Sequence, residues 1–231
     1  MNSQTFWIRG RQLGWLDGPG DDPHDLCLHG EVTVQAGAYF FAYCCCASAA
    51  ALRMLQTLSE DHLCRDTDNG EQMLPCCGFC MYPTRDPDRV FITGCDHGVN
   101  YNVRPRGSRV LLSPKRGPEI AVPFPLYRRE VLAFARQVEA AYCRSRPKQL
   151  PQDPFDREGY RSFWREWAWR MKSQGETPRL PPGLFSPCSP SRCQQHRVVP
   201  RSQRPSLARW APAPIFYGQS YPVCASREAA A

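Results

Sequence analysis

Residues 73–124 read MLPCCGFCMYPTRDPDRVFITGCDHGVNYNVRPRGSRVLLSPKRGPEIAVPF, and the spacing of turn formers in this stretch decides the fold. Five short extended runs, Met73 to Tyr82, Arg89 to Cys95, Val99 to Arg104, Arg109 to Ser113 and Ile120 to Phe124, alternate with separators. Those separators are Pro83 to Asp88, Asp96-His97-Gly98, Pro105 to Ser108 and Pro114 to Glu119, each rich in residues that favour turns. Short runs at such regular spacing predict an antiparallel β-meander.

Upstream, Phe6 to Trp15 reads as a strand that ends in the turn-rich Leu16-Asp17-Gly18-Pro19-Gly20. Glu31 to Gln35 and Ala38 to Cys45 form a hairpin about Ala36-Gly37, and a helix over 48–58 follows with Ala51, Leu52, Leu55 and Leu58 on one buried face. Val32 to Leu52 contains no charged residue, a length that can cross a bilayer. Its tyrosines, Thr33, Gln35, Gly37 and Ser48 favour strands and a buried helix, so a membrane partner is not expected.

Downstream, a helix over 126–144 carries Val131, Phe134, Ala135, Val138, Ala141 and Tyr142 as its apolar stripe. Arg128, Arg129, Glu130, Arg136 and Glu139 are expected on its solvated face. A second helix over 154–172 opens with Asp153 as N-cap and Pro154 at the first helical position, and Tyr160, Trp164, Trp167 and Met171 form its stripe. Trp169 points off that stripe and is a candidate partner contact. The expected fold class is α+β, an antiparallel β-meander sheet covered by three helices. Residues 1–174 form one domain in this reading, and 175–231 a disordered, basic, proline-rich tail.

The tail carries +5 of the formal net charge of +7, so the domain is close to neutral and its bulk charge names no anionic partner. Arg197, Arg201, Arg204 and Arg209 with Trp210 would suit an arginine-rich arm on nucleic acid, but such runs more often serve solvation. A core is affordable at 42% apolar residues, which excludes wholesale disorder and coiled coil. Thirteen cysteines, an odd number at modest density, argue against a secreted disulfide framework and for a reducing, cytoplasmic location.

The sharpest cluster is Cys76-Cys77-Gly78-Phe79-Cys80 followed by Cys95-Asp96-His97. Cys77, Cys80, Cys95 and His97 supply four ligands of the types that zinc prefers. A regular strand would hold Cys77 and Cys80 on opposite faces, so zinc requires Gly78 to bend the chain into a knuckle. His24, Cys27 and His29 form a weaker set, and Cys44-Cys45-Cys46 reads as packing at a strand end. Asp61, His62, Asp66, Asp68 and Glu71 read as a solvated acidic loop. Cys95 or Cys80 with His97 as base is a nucleophilic arrangement that neighbours in sequence seldom achieve. No phosphate-cradling glycine loop, His-Glu-x2-His pair or Gly-x-Ser-x-Gly elbow is present. The sequence therefore leans away from catalysis, toward a non-enzymatic module that binds a protein partner. An immunity- or antitoxin-like inhibitor fits that class by analogy of architecture alone.

Overall fold

The computed structural model describes residues 5–16, 21–64, 71–78 and 80–185. It has α+β architecture, with ten strands, all paired antiparallel, and three helices among the described residues. The first sheet has the order β1-β2-β3, from Phe6–Gly14, His29–Ala36 and Tyr39–Cys46. Register places Phe6 opposite Ala36, Ile8 opposite Val34 and Gly10 opposite Val32. The pleat turns these residues to one side, and the side chains among them are buried. β2 and β3 form the expected hairpin, which turns at Gly37 with φ +56°, a conformation glycine adopts without steric cost. β1 bulges between Arg11 and Gly14, where Gln12 takes φ +51°.

α1, Ala47–Gln56, follows β3 directly. The expectation of one buried face understates its burial: Ala47 through Leu55 are all buried, Ser48 and Arg53 included. A helix apolar on every side lies inside the core, and the uncharged run from Val32 to Leu52 is that signal. This run folds as β2, β3 and α1, and no helix among the described residues is long and apolar enough to cross a membrane.

The meander is real but broken into pieces. β4 (Leu74–Pro75) pairs with β7 (Gly98–Val99), and β5 (Cys80–Pro83) with β6 (Val90–Thr93). β8 (Tyr101–Arg106), β9 (Arg109–Pro114) and β10 (Ile120–Pro123) form a second three-stranded sheet. The expected single strand from Met73 to Tyr82 is divided because Gly78 packs into the core: a Cβ there would lie 2.8 Å from Ala49 Cβ and 3.4 Å from Cys46 Sγ. Between β7 and β8, Asn100 Oδ1 accepts from the backbone N–H groups of Met73 and Tyr101. A side chain that competes in this way for backbone donors ends a ladder.

α2, Phe124–Arg144, lies on β1, where the absence of a Cβ at Gly10 admits the Phe134 ring. α3, Pro154–Ser173, lies on β5 and begins as expected, with Asp153 Oδ1 accepting from Phe155 N at 2.8 Å and Asp156 N at 3.0 Å. Its stripe of Tyr160, Trp164, Trp167 and Met171 is buried, together with Phe163. Burial of each such side chain contributes about 2–3 kcal/mol. Gly159 lets the β5 backbone approach α3, since a Cβ there would fall 1.8 Å from the Met81 carbonyl oxygen.

One expectation on α2 is corrected. Glu139 is not solvated but fully buried, held by Trp167 Nε1 at 3.0 Å, Arg136 Nη1 at 2.6 Å and the Arg179 N–H at 3.0 Å. The chain past α3 brings the last of these, and Leu184 is buried with it. The first compact unit accordingly runs from Met1 to Leu184. The tail arginines 197, 201, 204 and 209 lie outside the described residues.

Candidate functional site

An open cleft of about 370 Å³ lies where the end of α1, the segment after it and β6 meet. Its lining comprises Arg53, Gln56, Asp61, His62, Leu63, Glu71, Arg89, Val90, Phe91 and Ile92. Arg53, in the last turn of α1, donates to the Gln72 carbonyl at 2.8 Å and the Ile92 carbonyl at 3.1 Å. A cation near a helix C-terminus is favoured electrostatically, and this one also fixes the two cleft walls.

Behind β6 runs a charged network. Glu166 on α3 is fully buried; its Oε2 accepts from Val90 N at 2.8 Å and its Oε1 from Gln56 Nε2 at 2.9 Å. Arg170 donates to the same Oε1 at 3.0 Å and to Glu60 at 2.6 Å, and Arg89 grips both oxygens of Glu60 at 2.6 and 2.9 Å. Burial pushes the Glu60 carboxyl up, but hydrogen bonds and charge from Arg89 and Arg170 outweigh it and hold Glu60 below the usual carboxylate range. The polar groups nearer the solvent are also engaged. Asp61 takes a two-pronged contact from Arg106 at 2.7 and 2.6 Å, and His62 Nε2 lies 2.7 Å from Asn100 Oδ1.

Large apolar side chains are left open beside this frame. Leu63 is 47% exposed and Phe91 46%, both on the cleft lining. Phe91 stacks on Tyr82 with centroids 6.3 Å apart, and Tyr82 meets Phe155, 52% exposed, at 5.7 Å. Trp169 is also exposed, as the sequence suggested, with the Arg170 guanidinium 4.7 Å from its ring.

The four expected zinc ligands do not converge. Cys95 N–H donates to Cys77 Sγ at 3.1 Å, so these two are together. Cys80 lies elsewhere, on β5, with the Tyr82 hydroxyl donating to it and the Asp156 charge nearby. His97 gives its carbonyl to Cys76 N at 3.0 Å and exposes its side chain. Gly78 packs against α1, where a Cβ would lie 2.8 Å from Ala49 Cβ. Among the described residues, no three His, Cys, Asp or Glu side chains are grouped to hold a metal ion. In the His24, Cys27, His29 set, Cys27 is buried, and its carbonyl lies 3.0 Å from His29 Nδ1.

Cys27 takes part in a contact that sequence spacing did not signal. Its S–H donates to Cys46, the N-cap residue of α1. That hydrogen bond draws the Cys46 thiol down to about 6 against the opposing effect of burial. The charge of His29, the Ser48 hydroxyl 3.4 Å away and the Ala49 N–H act in the same direction. Cys45 and Cys46 are buried at the strand end as expected, whereas Cys44 is exposed.

Compared with protein-family models, curated proteins and solved structures, the chain matches none. The sequence reading missed the cleft because Arg53, Arg89, Glu166 and Phe91 are far apart in the chain. A charge within an otherwise apolar helix, Arg53, was the one local sign of it.

Proposed function

We propose that the protein is a non-enzymatic module that binds a partner protein at the cleft and along the aromatic band beside it. The observation that carries this reading is the exposed Leu63 and Phe91 on the cleft lining, with ring contacts that run from Phe91 through the half-buried Tyr82 to the exposed Phe155. Scattered exposed hydrophobics need no explanation, but a rimmed cluster of aromatics beside a cleft is the usual make-up of an interface centre. The partner suited to it presents a large apolar side chain to the cleft, surrounded by polar groups that meet the Arg89 and Asp61 rim.

Engagement of the polar groups favours binding over catalysis. Asp61, His62 and Arg89 are held by Arg106, Asn100 and Glu60 respectively. The test compares the wild-type chain with Phe91→Asp and Leu63→Asp in capture from a native lysate under gentle conditions. The reading expects one stoichiometric partner that cross-links to the 60–64 or 89–92 segments and is lost at least tenfold in both variants, with circular dichroism and Tm unchanged. A partner retained by both variants, or no stoichiometric partner at all, overturns it.

A further inference from the structure

Three of the part-exposed thiols meet at one place that the binding surface does not use. The pairing of β4 with β7 continues one step through Cys76 N–H to the His97 carbonyl at 3.0 Å, which sets Cys76 and Cys77 against residues 94–97. Gly94 makes the approach unusually close: a Cβ there would lie 2.3 Å from the Cys77 carbonyl oxygen and 3.0 Å from Cys77 Sγ. Cys95 N–H then donates to Cys77 Sγ at 3.1 Å, and Cys76 is held beside the same turn by its N–H bond to the His97 carbonyl. All three residues keep part of their surface in solvent, in contrast to the buried Cys27, Cys45 and Cys46.

We propose that Cys95 and Cys77 form a thiol–disulfide exchange site for low-molecular-weight disulfides of the glutathione class, with Cys95 as the entry sulfur. Its thiolate attacks one sulfur of the disulfide RSSR, forming Cys95–S–S–R and expelling RS⁻, which takes up the proton that Cys95 released. Cys77 then loses its proton to water and attacks Cys95 Sγ. The Cys77–Cys95 bond forms, the second RS⁻ leaves and is protonated, and the balance is two protein thiols plus RSSR giving one protein disulfide plus two RSH.

The order of the steps follows from the surroundings. Burial pushes Cys77 up to about 12, and its side-chain contact with Cys95 adds to this against the opposing pull of the Cys95 N–H. Burial likewise raises Cys76, its side-chain contact with Cys95 adds to this, and the hydrogen bond from Tyr43 opposes both. A thiol held protonated is a slow first attacker but remains a competent second one when the electrophilic sulfur is already in contact. The bond ties the connector between β4 and β5 to the turn between β6 and β7, where the reduced protein has the Cys95 N–H to Cys77 Sγ and Cys76 N–H to His97 carbonyl hydrogen bonds. The site stands apart from the proposed partner surface, and either reading can fail without the other.

The test incubates the full-length reduced protein with oxidised glutathione at graded ratios to reduced glutathione, quenches by alkylation and maps the peptides by mass. The expected product is a Cys77–Cys95 bridged peptide with two glutathiones released per bridge. Cys143, exposed on α2, serves as an internal control and stops at the mixed disulfide. In Cys77→Ser the Cys95–glutathione adduct accumulates at least tenfold, and in Cys95→Ser no bridge and no adduct form at Cys77. Native-state alkylation rates provide a readout independent of the variants, with Cys95 modified faster than Cys77. A Cys95 adduct that persists in the wild type, a bridge from Cys95 to Cys76 in place of Cys77, or faster modification of Cys77 overturns the assignment.

Discussion

Replacing Glu166 with glutamine keeps the size of the side chain and removes its charge. The carboxylate serves donors on both oxygens, Val90 N–H on Oε2 and Gln56 and Arg170 on Oε1. An amide has only one acceptor oxygen. If that oxygen faces Arg170, the NH2 group faces the Val90 N–H, and a buried donor left without an acceptor costs about 1–3 kcal/mol. The contact with Arg170 also falls from an ion pair to a bond between the guanidinium and a neutral carbonyl, a loss of about 1 kcal/mol or more. Arg170 keeps Glu60, so the full cost of about 3–5 kcal/mol for stranding a buried ion is not reached. The expected destabilisation is about 3 kcal/mol. With a urea dependence of about 2 kcal/mol/M for a domain of this size, the unfolding midpoint falls by about 1.5 M. Hydrogen exchange at the Val90 amide, measured on the same samples, should accelerate more than its neighbours do. A midpoint shift under about 0.5 M, or unchanged Val90 protection, would refute the reasoning.

Two further outcomes follow from the same geometry. Gly159→Ala, which normally stabilises a helix by about 1 kcal/mol, is expected to destabilise this protein by at least about 2 kcal/mol. The cause is the Met81 carbonyl lying 1.8 Å from where the Cβ must go, and an unchanged or raised Tm would show that β5 can yield. Glu60, held below the usual carboxylate range despite its burial, adds stability that is complete above about pH 4.3 and is lost as pH falls through its lowered folded value. Urea midpoints at pH 7 and pH 3 should therefore differ less in Glu60→Gln than in the wild type, and equal differences would count against the ion-pair account.

Local signals placed most of the elements. Asp153-Pro154 marks the start of α3, the four- and three-residue spacing of Tyr160, Trp164 and Trp167 its buried face, and Gly37 the β2–β3 turn. Polar groups whose partners come from distant segments were illegible. Glu139 has the pattern of a surface residue, yet Trp167 and Arg179 enclose it. Met73 to Tyr82 has the composition of one strand, yet Gly78 turns toward α1 because only a residue without a Cβ fits against Ala49. Cysteine spacing suggested four ligands around one ion, whereas tertiary placement kept Cys77 with Cys95 and sent Cys80 to the side of Tyr82. Cys27 and Cys46 are 19 positions apart, and nothing local announced their contact.

The burial of α1 on all sides carries a consequence for how the chain is made. Its cover comes from β2, β3 and β4 but also from α2 and α3, which leave the ribosome much later. Until then the nascent chain displays the uncharged run from Val32 to Leu52, most of two strands and a short alanine-rich helix. Synthesis at about 5–20 residues per second leaves that surface open for several seconds or longer, the interval in which exposed apolar strands favour aggregation.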